Sequence, residues 1–254
     1  MCTLALYFRI FDDYPIVVAA NRDEHYDRPS ALPSLLNTKP AIVAGQDLRA
    51  GGTWLGVNEA GLLAGILNRR SDGEQSPRPG LRSRGLLCLD LLGFKSGAEA
   101  RAFISAHDLS YQPFTLIFSD GQEAWAAFND DQGIHTQTLD RGLHVFSSAA
   151  KFDARSEKAD RAYERFAEVE DELKINSGQP IHWLRSLQSV LSDHSWGNGS
   201  DDPRDAICVH GEIAGTVSSS VVLYSRSERR FWTYYCPGAP CKSAFGEALM
   251  LKVQ

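Results

Sequence analysis

Residues 1–24, MCTLALYFRIFDDYPIVVAANRDE, hold two apolar segments followed by a charged cluster. Residues 3–10 and 15–20 are rich in the β-branched and aromatic residues that favour strands. The short acidic segment between them, Asp12-Asp13, is typical of a turn. The pattern therefore predicts a β-hairpin at the start of the chain.

The predicted hairpin brings Cys2 close to the charged cluster. A loop of Asp12-Asp13 places Cys2 opposite Asp23, and a loop that also includes Tyr14 places Cys2 opposite Glu24. Directly opposite residues in an antiparallel pair have Cβ atoms about 4.5–5.5 Å apart, and a long side chain such as that of Arg22 reaches a diagonal neighbour.

Cys2 has the features of a nucleophile. Removal of Met1 leaves Cys2 with a thiol and a free α-amine on one residue. The amine has an ordinary pKa of about 7.7–8.0 and the thiol one of about 8.5, so the amine can accept the thiol proton near neutral pH. A nearby Arg22 lowers the thiol pKa further. The alternative is a small buried cysteine at the start of a strand, with the polar run 21–24 only solvating the end of its partner.

Several motifs in the first 70 residues occur together in one known family: Met1-Cys2, Asn21-Arg22-Asp23-Glu24, the GGTWLG sequence at 51–56, and the segment from Gly61 to Asn68-Arg69. The chain resembles the NRDE family, also called the transport and Golgi organisation protein 2 family. That family is similar to N-terminal-nucleophile hydrolases of the choloylglycine hydrolase and penicillin V acylase type. The resemblance implies an α+β fold, a four-layer αββα sandwich, with Cys2 as nucleophile and Arg22 and Asp23 positioning the thiol.

The resemblance also implies an oxyanion site. Thiol attack on an amide produces a tetrahedral oxyanion, and one preorganised hydrogen-bond donor stabilises it by roughly 3–4 kcal/mol. Asn68 with the Arg69 N–H occupies the matching place in the sequence. Two positions depart from related sequences: Ser147-Ser148-Ala149 stands where choloylglycine hydrolases have an Asn, and Val217 stands where the family tends to have an Arg. The residues expected to bind substrate are Asn21, Glu24, Trp54, Ser148 and Thr216.

Composition restricts the class of protein. The chain has 254 residues and a formal net charge of −6, and its 26 Lys and Arg are scattered, which argues against a nucleic-acid partner. No segment reaches the roughly 18 apolar residues of a membrane span, and the N-terminus lacks the features of an export signal. We therefore expect a cytoplasmic protein whose five cysteines are reduced. Cys236 and Cys241 lack a second pair to complete a zinc site, so no metal site is predicted.

The remaining pattern predicts one domain over 1–254. Residues 26–48, with three prolines, read as a long surface loop, and 71–80 as a polar loop. The apolar periodicity and turn signals predict strands and helices in alternating groups. The predicted strands are 53–58, 62–67, 114–119, 123–128, 134–139, 143–147, 206–213, 216–224 and 231–236, and the predicted helices are 81–94, 96–107, 155–175 and 180–191.

Two functions from different classes follow. The first is an N-terminal cysteine hydrolase or acyl-transfer enzyme that acts on a non-peptide C–N amide of a small molecule and requires no cofactor. Other nucleophile and nucleotide motifs, such as G-x-S-x-G and G-x-x-x-x-G-K-[ST], are missing from the sequence. The second comes from the resemblance alone: a non-enzymatic protein that binds and moves haem as cargo. The sequence leaves the oligomeric state open.

Overall fold

The fold is described from a computed structural model, over residues 2–69, 80–106, 111–148, 156–175, 180–195 and 202–254. Met1, Ala149 and all but the last residue of the predicted polar loop at 71–80 lie outside these ranges. The strands are β1 (Thr3–Phe8), β2 (Ile16–His25), β3 (Ser30–Leu36), β4 (Ile42–Asp47), β5 (Leu55–Asn58), β6 (Leu63–Asn68), β7 (Phe114–Ser119), β8 (Ala124–Asp130), β9 (Gly133–Thr138), β10 (Gly142–Ser147), β11 (Ala214–Ser225), β12 (Arg230–Cys236) and β13 (Leu249–Lys252). The helices are α1 (Arg84–Leu91), α2 (Gly97–Ser105), α3 (Glu157–Ile175) and α4 (Pro180–Leu191).

The strands form two antiparallel sheets. The first sheet has the order β10-β1-β2-β11-β12-β13 and contains both ends of the described chain. The second has the order β3-β4-β5-β6-β7-β8-β9. Strands β1 and β2 lie inside the first sheet, so their side chains are covered on both faces. This explains the nearly continuous apolar sequence of the two segments.

Alternating side chains of β1 divide the interior into layers. Leu4, Leu6 and Phe8 pack between the two sheets, whereas Ala5 and Tyr7 face α3 and α4. A third apolar cluster joins α1 and α2 to the outer face of the second sheet. The order of layers is therefore helix, sheet, sheet, helix, which confirms the predicted αββα sandwich. None of the helices in the described ranges is long and apolar enough to cross a bilayer.

The first hairpin forms as predicted, but its register differs. Thr3 pairs with Asn21, and the same register places Cys2 opposite Arg22. Both residues therefore point into the space between the sheets, where Cys2 packs against the central apolar cluster. The two side chains that the site needs thus lie on the same face of neighbouring strands.

The predicted partners of Cys2, Asp23 and Glu24, were wrong because the hairpin loop is longer than a tight turn. Strand β1 ends before Arg9, which adopts a left-handed conformation with φ 55°. In the loop, the Phe11 ring points toward the helical layer and packs on Trp183 of α4, with 4.6 Å between ring centroids. The Phe11 ring is buried in the helical layer, and Phe11 therefore does not pair with β2 as the prediction required.

Two further segments differ from the prediction. Residues 26–48 contain β3 and β4 rather than a loop, because an edge strand tolerates proline: Pro33 lies in β3, where the register shifts between Ala31 and Ser34. Residues 206–213 do not form the predicted strand. They form an irregular segment, buried at 206–209 and exposed at 210–213, with a single bridge from His210 to Gly215. Strand β13 was not predicted.

Candidate active site

A small cavity opens where β1 and β2 meet the end of β6. Its volume is about 90 Å³, and Cys2 lies in its wall. The lining is strongly charged, and it comes from both sheets and from the start of α1. The ionisable residues of the lining, besides Cys2, are Arg22, Asp23, Glu24, Arg28, Asp47 and Arg84.

Cys2 is held through its main chain and its thiol. The Cys2 N–H donates to the Ser148 hydroxyl at 3.0 Å, and the thiol donates weakly to the main-chain carbonyl of Asp23 at 3.8 Å. Burial raises the pKa of the Cys2 thiol, and the negative charge of Asp23 adds to this, whereas the positive charge of Arg22 opposes it. The thiol is therefore protonated at neutral pH and needs a base before it can attack.

The Arg22 guanidinium lies between an acidic group and an aromatic ring. Its Nη2 is 3.3 Å from Asp47 Oδ2 and 3.8 Å from Glu24 Oε2, and its Cζ stands 4.5 Å from the centroid of Trp54. Only 6% of the Arg22 side chain is exposed. Within the described part of the chain, Arg22 Nη1 is a buried donor without a hydrogen-bond partner. A buried donor without an acceptor is energetically costly, so an oxygen atom that came within reach of Nη1 would be favoured.

Asp23 contacts the thiol through its main chain, while its carboxylate points toward the helical layer. There the carboxylate accepts hydrogen bonds from Thr216 Oγ1 at 2.7 Å and from Lys158 Nζ at 3.2 Å. Lys158 and Asp23 are both almost fully buried. This buried ion pair fixes the position of β2 next to Cys2.

Two residues that the sequence assigned to substrate binding have structural contacts instead. The Asn21 amide donates to the carbonyls of Leu191 and Ile207 at 2.8 and 2.9 Å, and its oxygen accepts from Ser219 at 2.5 Å. Thr216 is buried and bonded to Asp23. Neither residue lines the cavity, because strand alternation directs both side chains toward α3 and α4. The predicted contact of Asn21 and Thr216 with substrate therefore stays a prediction.

The end of β6 also differs in part from the prediction. Asn68 lines the cavity, but the Arg69 N–H donates to the Pro113 carbonyl at 2.9 Å. Arg69 is therefore not a main-chain donor for an oxyanion. Alternate N–H groups of a strand point to opposite sides, and the Ile66 N–H points to Trp54. The Asn68 N–H therefore points to the same side of β6 as the Ile66 N–H. The cavity lies on that side, beyond the start of β5.

A family model now identifies the chain. The model described as Transport and Golgi organisation 2 matches residues 1–234. The chain belongs to this family. The resemblance that the first 70 residues predicted is therefore confirmed.

Other family members match over shorter stretches. A Transport and Golgi organization 2 homolog from mouse is 33% identical over 113 residues, which is 42% of this chain and 39% of the mouse protein. The human homolog is 43% identical over 58 residues, or 22% of this chain and 21% of the human protein. The matched stretches thus span about two fifths or less of these relatives' length.

Solved structures share the fold at low identity. Penicillin V acylase from Agrobacterium tumefaciens superposes with a TM-score of 0.62 at 14% identity, over 100% of this chain and 99% of the acylase. A variant of conjugated bile acid hydrolase from Clostridium perfringens gives 0.57 at 14% identity, over 92% and 88%. A Caenorhabditis elegans N-acylethanolamine-hydrolyzing acid amidase ortholog gives 0.54 at 12% identity, over 87% and 92%. These similarities confirm an N-terminal-nucleophile hydrolase fold.

Several site residues were missed in the sequence. Asp47 is one of them, because it lay in the predicted loop. Its carboxylate accepts from Arg28 Nε at 2.6 Å and from the N–H groups of Arg49 and Ala50. Burial opposes the ionisation of Asp47, but these bonds outweigh it and lower its pKa. The sequence signal available for Asp47 was its position shortly before Gly51-Gly52. An Asp in such a turn often accepts hydrogen bonds from main-chain N–H groups of the same turn.

The start of α1 forms the cavity wall opposite Cys2 because two glycines permit close contact. The Thr53 N–H donates to the Gly85 carbonyl at 3.0 Å, and a Cβ on Gly52 would lie 2.2 Å from the Gly85 carbonyl carbon. Ser83 and Arg84 thereby reach the lining.

Gly52→Ala is expected to lower the free energy of unfolding by about 1–3 kcal/mol, because the added methyl group forces two backbones apart. Urea unfolding measures the loss. Gly246→Ala is the matched control, since a Cβ there meets only one atom, at 3.8 Å. Equal midpoints for the two variants would contradict the close backbone contact.

Proposed function

We propose that this protein is an N-terminal cysteine amidohydrolase acting on small-molecule amides. The observation that supports this most is the placement of Cys2. Cys2 lines the cavity, and it lies opposite Arg22 in the neighbouring strand. Arg22 is buried, and among the described residues its Nη1 has no hydrogen-bond partner. The names of the proteins that share the fold, an acylase, a hydrolase and an amidase, point to the same bond type.

In the proposed reaction the base is the α-amine that removal of Met1 leaves on Cys2. Because burial raises the thiol pKa, a nearby base is needed, and the amine's ordinary pKa of about 7.7–8.0 suits neutral pH. The Cys2 N–H donates to the Ser148 hydroxyl at 3.0 Å, and the same bond would hold the amine in place once Met1 is removed. Ser148 thus serves here as a positioning residue.

The steps balance without a cofactor. The amine takes the thiol proton, the sulfur forms a bond with the amide carbon, and the carbonyl electrons move to oxygen. The ammonium group gives its proton to the amide nitrogen as the C–N bond breaks and the amine product leaves. Water then attacks the thioester with the α-amine as base, releasing the acid and restoring the thiol.

Two groups are the proposed oxyanion donors. Asn68 lines the cavity and directs its N–H toward it, and Arg22 supplies a buried donor with a full positive charge. A donor of this kind strengthens its bond as charge develops on the oxygen. Asn68 and Arg22 replace the predicted pairing of Asn68 with the Arg69 N–H.

The part of the substrate that suits the cavity is small and polar. Pockets for drug-sized ligands measure roughly 300–1,000 Å³, so a cavity of about 90 Å³ encloses little more than the reacting amide and its neighbours. Haem carriage, the alternative that the sequence raised, requires far more space than this cavity offers. Glu24 and Trp54 line the cavity, where they contact Arg22, and remain proposed substrate contacts.

The test is the intact mass of the purified protein before and after treatment with iodoacetamide, for wild type and Cys2→Ala. We expect wild type to lack Met1, to gain one label at Cys2, and to hydrolyse at least one probe among penicillin V, a conjugated bile acid and an N-acylethanolamine. Cys2→Ala should lose the Cys2 label and the hydrolysis. Retention of Met1 together with an unlabelled Cys2 would reject the proposal, and titration with haem would then test the alternative.

A further inference from the structure

Away from the Cys2 cavity, four metal-ligating side chains come together near the C-terminal strands. They are His194, Cys208, His210 and Cys241, and one ligand atom of each lies within 4.8 Å of the others. Cys208 and His210 are separated by one residue, and none of the four has the spacing to another that is typical of a zinc motif. The sequence analysis therefore predicted no metal and associated Cys241 with Cys236.

The distances among Cys208, His210 and Cys241 match three corners of a tetrahedron of zinc ligands, and the His194 ligand atom lies within 4.8 Å of these three. Cys208 Sγ lies 3.7 Å from Cys241 Sγ and 3.7 Å from His210 Nε2, and His210 Nε2 lies 3.2 Å from Cys241 Sγ. With Zn–S of about 2.3 Å and Zn–N of about 2.0–2.1 Å, tetrahedral angles give S–S of about 3.8 Å and S–N of about 3.6 Å. The observed separations lie within a few tenths of an ångström of these values.

We propose that His194, Cys208, His210 and Cys241 form a structural zinc site. Two thiolates and two imidazoles are a donor set typical of Zn²⁺, and two thiolate charges balance the charge of the ion. The His194 and His210 rings lie 5.0 Å apart with 64° between their planes, an arrangement that lets both rings direct a nitrogen at one point. Binding releases the two thiol protons to solvent.

The ligands belong to three segments that a metal would tie together. His194 follows α4, Cys208 and His210 lie in the irregular segment before β11, and Cys241 lies between β12 and β13. The Cys208 N–H donates to the Asp193 carbonyl at 2.8 Å, which brings the second segment to the end of α4. Cys208 is 1% exposed although it lies outside any strand. A role as a metal ligand accounts for the burial of this thiol in an irregular segment.

The site is structural because protein groups occupy all four positions and leave none for water or substrate. The proposed zinc site is connected to the Cys2 cavity by hydrogen bonds through Thr216 of β11. The Val209 N–H, between two of the ligands, donates to Thr216 Oγ1 at 2.9 Å, and Thr216 Oγ1 donates to Asp23 at 2.7 Å. The zinc would thus support the strand that holds the Asp23 carbonyl beside Cys2.

The test is the metal content of the full-length protein purified without chelator. Native mass spectrometry and elemental analysis are expected to give about one zinc per chain, and the double variant Cys208→Ser, Cys241→Ser should give none. Cys2→Ala is the control: it removes another partly exposed thiol and should keep the zinc. This control also separates the zinc proposal from the proposed hydrolysis, which Cys2→Ala abolishes.

A second measurement does not depend on folding of the double variant. Wild-type protein loaded with Co²⁺ is expected to show the visible absorption of a tetrahedral ion and a thiolate-to-cobalt charge-transfer band. Addition of one equivalent of Zn²⁺ should remove both. Absence of these bands, failure of the purified protein to bind added Zn²⁺, or a Cys208–Cys241 disulfide in the non-reduced protein would each overturn the proposal.

Discussion

Lys158→Met is expected to lower the free energy of unfolding by about 3–5 kcal/mol, because it removes the cation from a buried ion pair with the Asp23 carboxylate. Lys158 Nζ is 3.2 Å from Asp23 Oδ2, and the two side chains are 3% and 2% exposed. Methionine fills a similar volume, so the loss reflects charge rather than a cavity. Thr216 still donates to Asp23, but a neutral hydroxyl does not replace a charge.

Urea unfolding followed by circular dichroism measures this loss. Lys174→Met is the matched control on the same helix: Lys174 pairs with Glu170 at 2.7 Å but is 47% exposed. Surface pairs of this kind contribute little, and the control should leave the unfolding midpoint unchanged. Equal midpoints for the two variants would show that water reaches the Asp23–Lys158 pair.

The double variant Asp23→Asn, Lys158→Met tests whether the two residues act as a pair. Each single change removes one charge of the ion pair, whereas the double change removes both. We expect the double variant to be destabilised by less than the sum of the single variants, as for residues in direct contact. A sum that matches the double variant would mean that the two residues contribute independently.

The sequence predicted the layers well because the layers follow from local patterns. The apolar, β-rich sequence of β1 indicates a strand, and the amphipathic periodicity of α3 specifies which of its faces is buried, whatever the partner is. The register of the first hairpin was not predictable in this way. It depends on the left-handed Arg9 and on Phe11 packing against Trp183, a contact with a residue 172 positions later (183 minus 11).

The same distinction applies to the site. Cys2, Arg22 and Asn68 were identified because each lies in a short motif near the N-terminus. Lys158 is 135 positions from Asp23, and no local pattern indicates a buried cation in a heavily charged helix. The zinc ligands are likewise brought together only by the fold. Sequence reasoning therefore found the residues that are proposed to react, and it missed Lys158 and the four residues of the proposed zinc site.

Arg22→Met is expected to reduce amide hydrolysis roughly 10²–10³-fold, the loss typical of removing one preorganised oxyanion donor. The variant should still fold, because Arg28 Nε lies 2.6 Å from Asp47 Oδ2 and continues to pair this carboxylate. Arg22→Lys keeps the charge without the planar, two-nitrogen geometry, so it should recover only part of the activity.

The iodoacetamide reaction of Cys2 supplies a readout that needs no substrate. Burial raises the thiol pKa, and Arg22 opposes that rise, so loss of the guanidinium should raise the pKa further. Below its pKa a thiol loses reactive thiolate tenfold per unit, and the alkylation rate of Arg22→Met should therefore rise only at higher pH than that of wild type. Arg28→Met is the control: it removes a cation from the same cavity, but one that is not opposite Cys2, and its profile should stay close to that of wild type. If Arg22→Met and wild type gave the same pH profile, Arg22 would have no effect on the thiol pKa. Its role would then be limited to a hydrogen bond with the substrate, which the loss of hydrolysis measures.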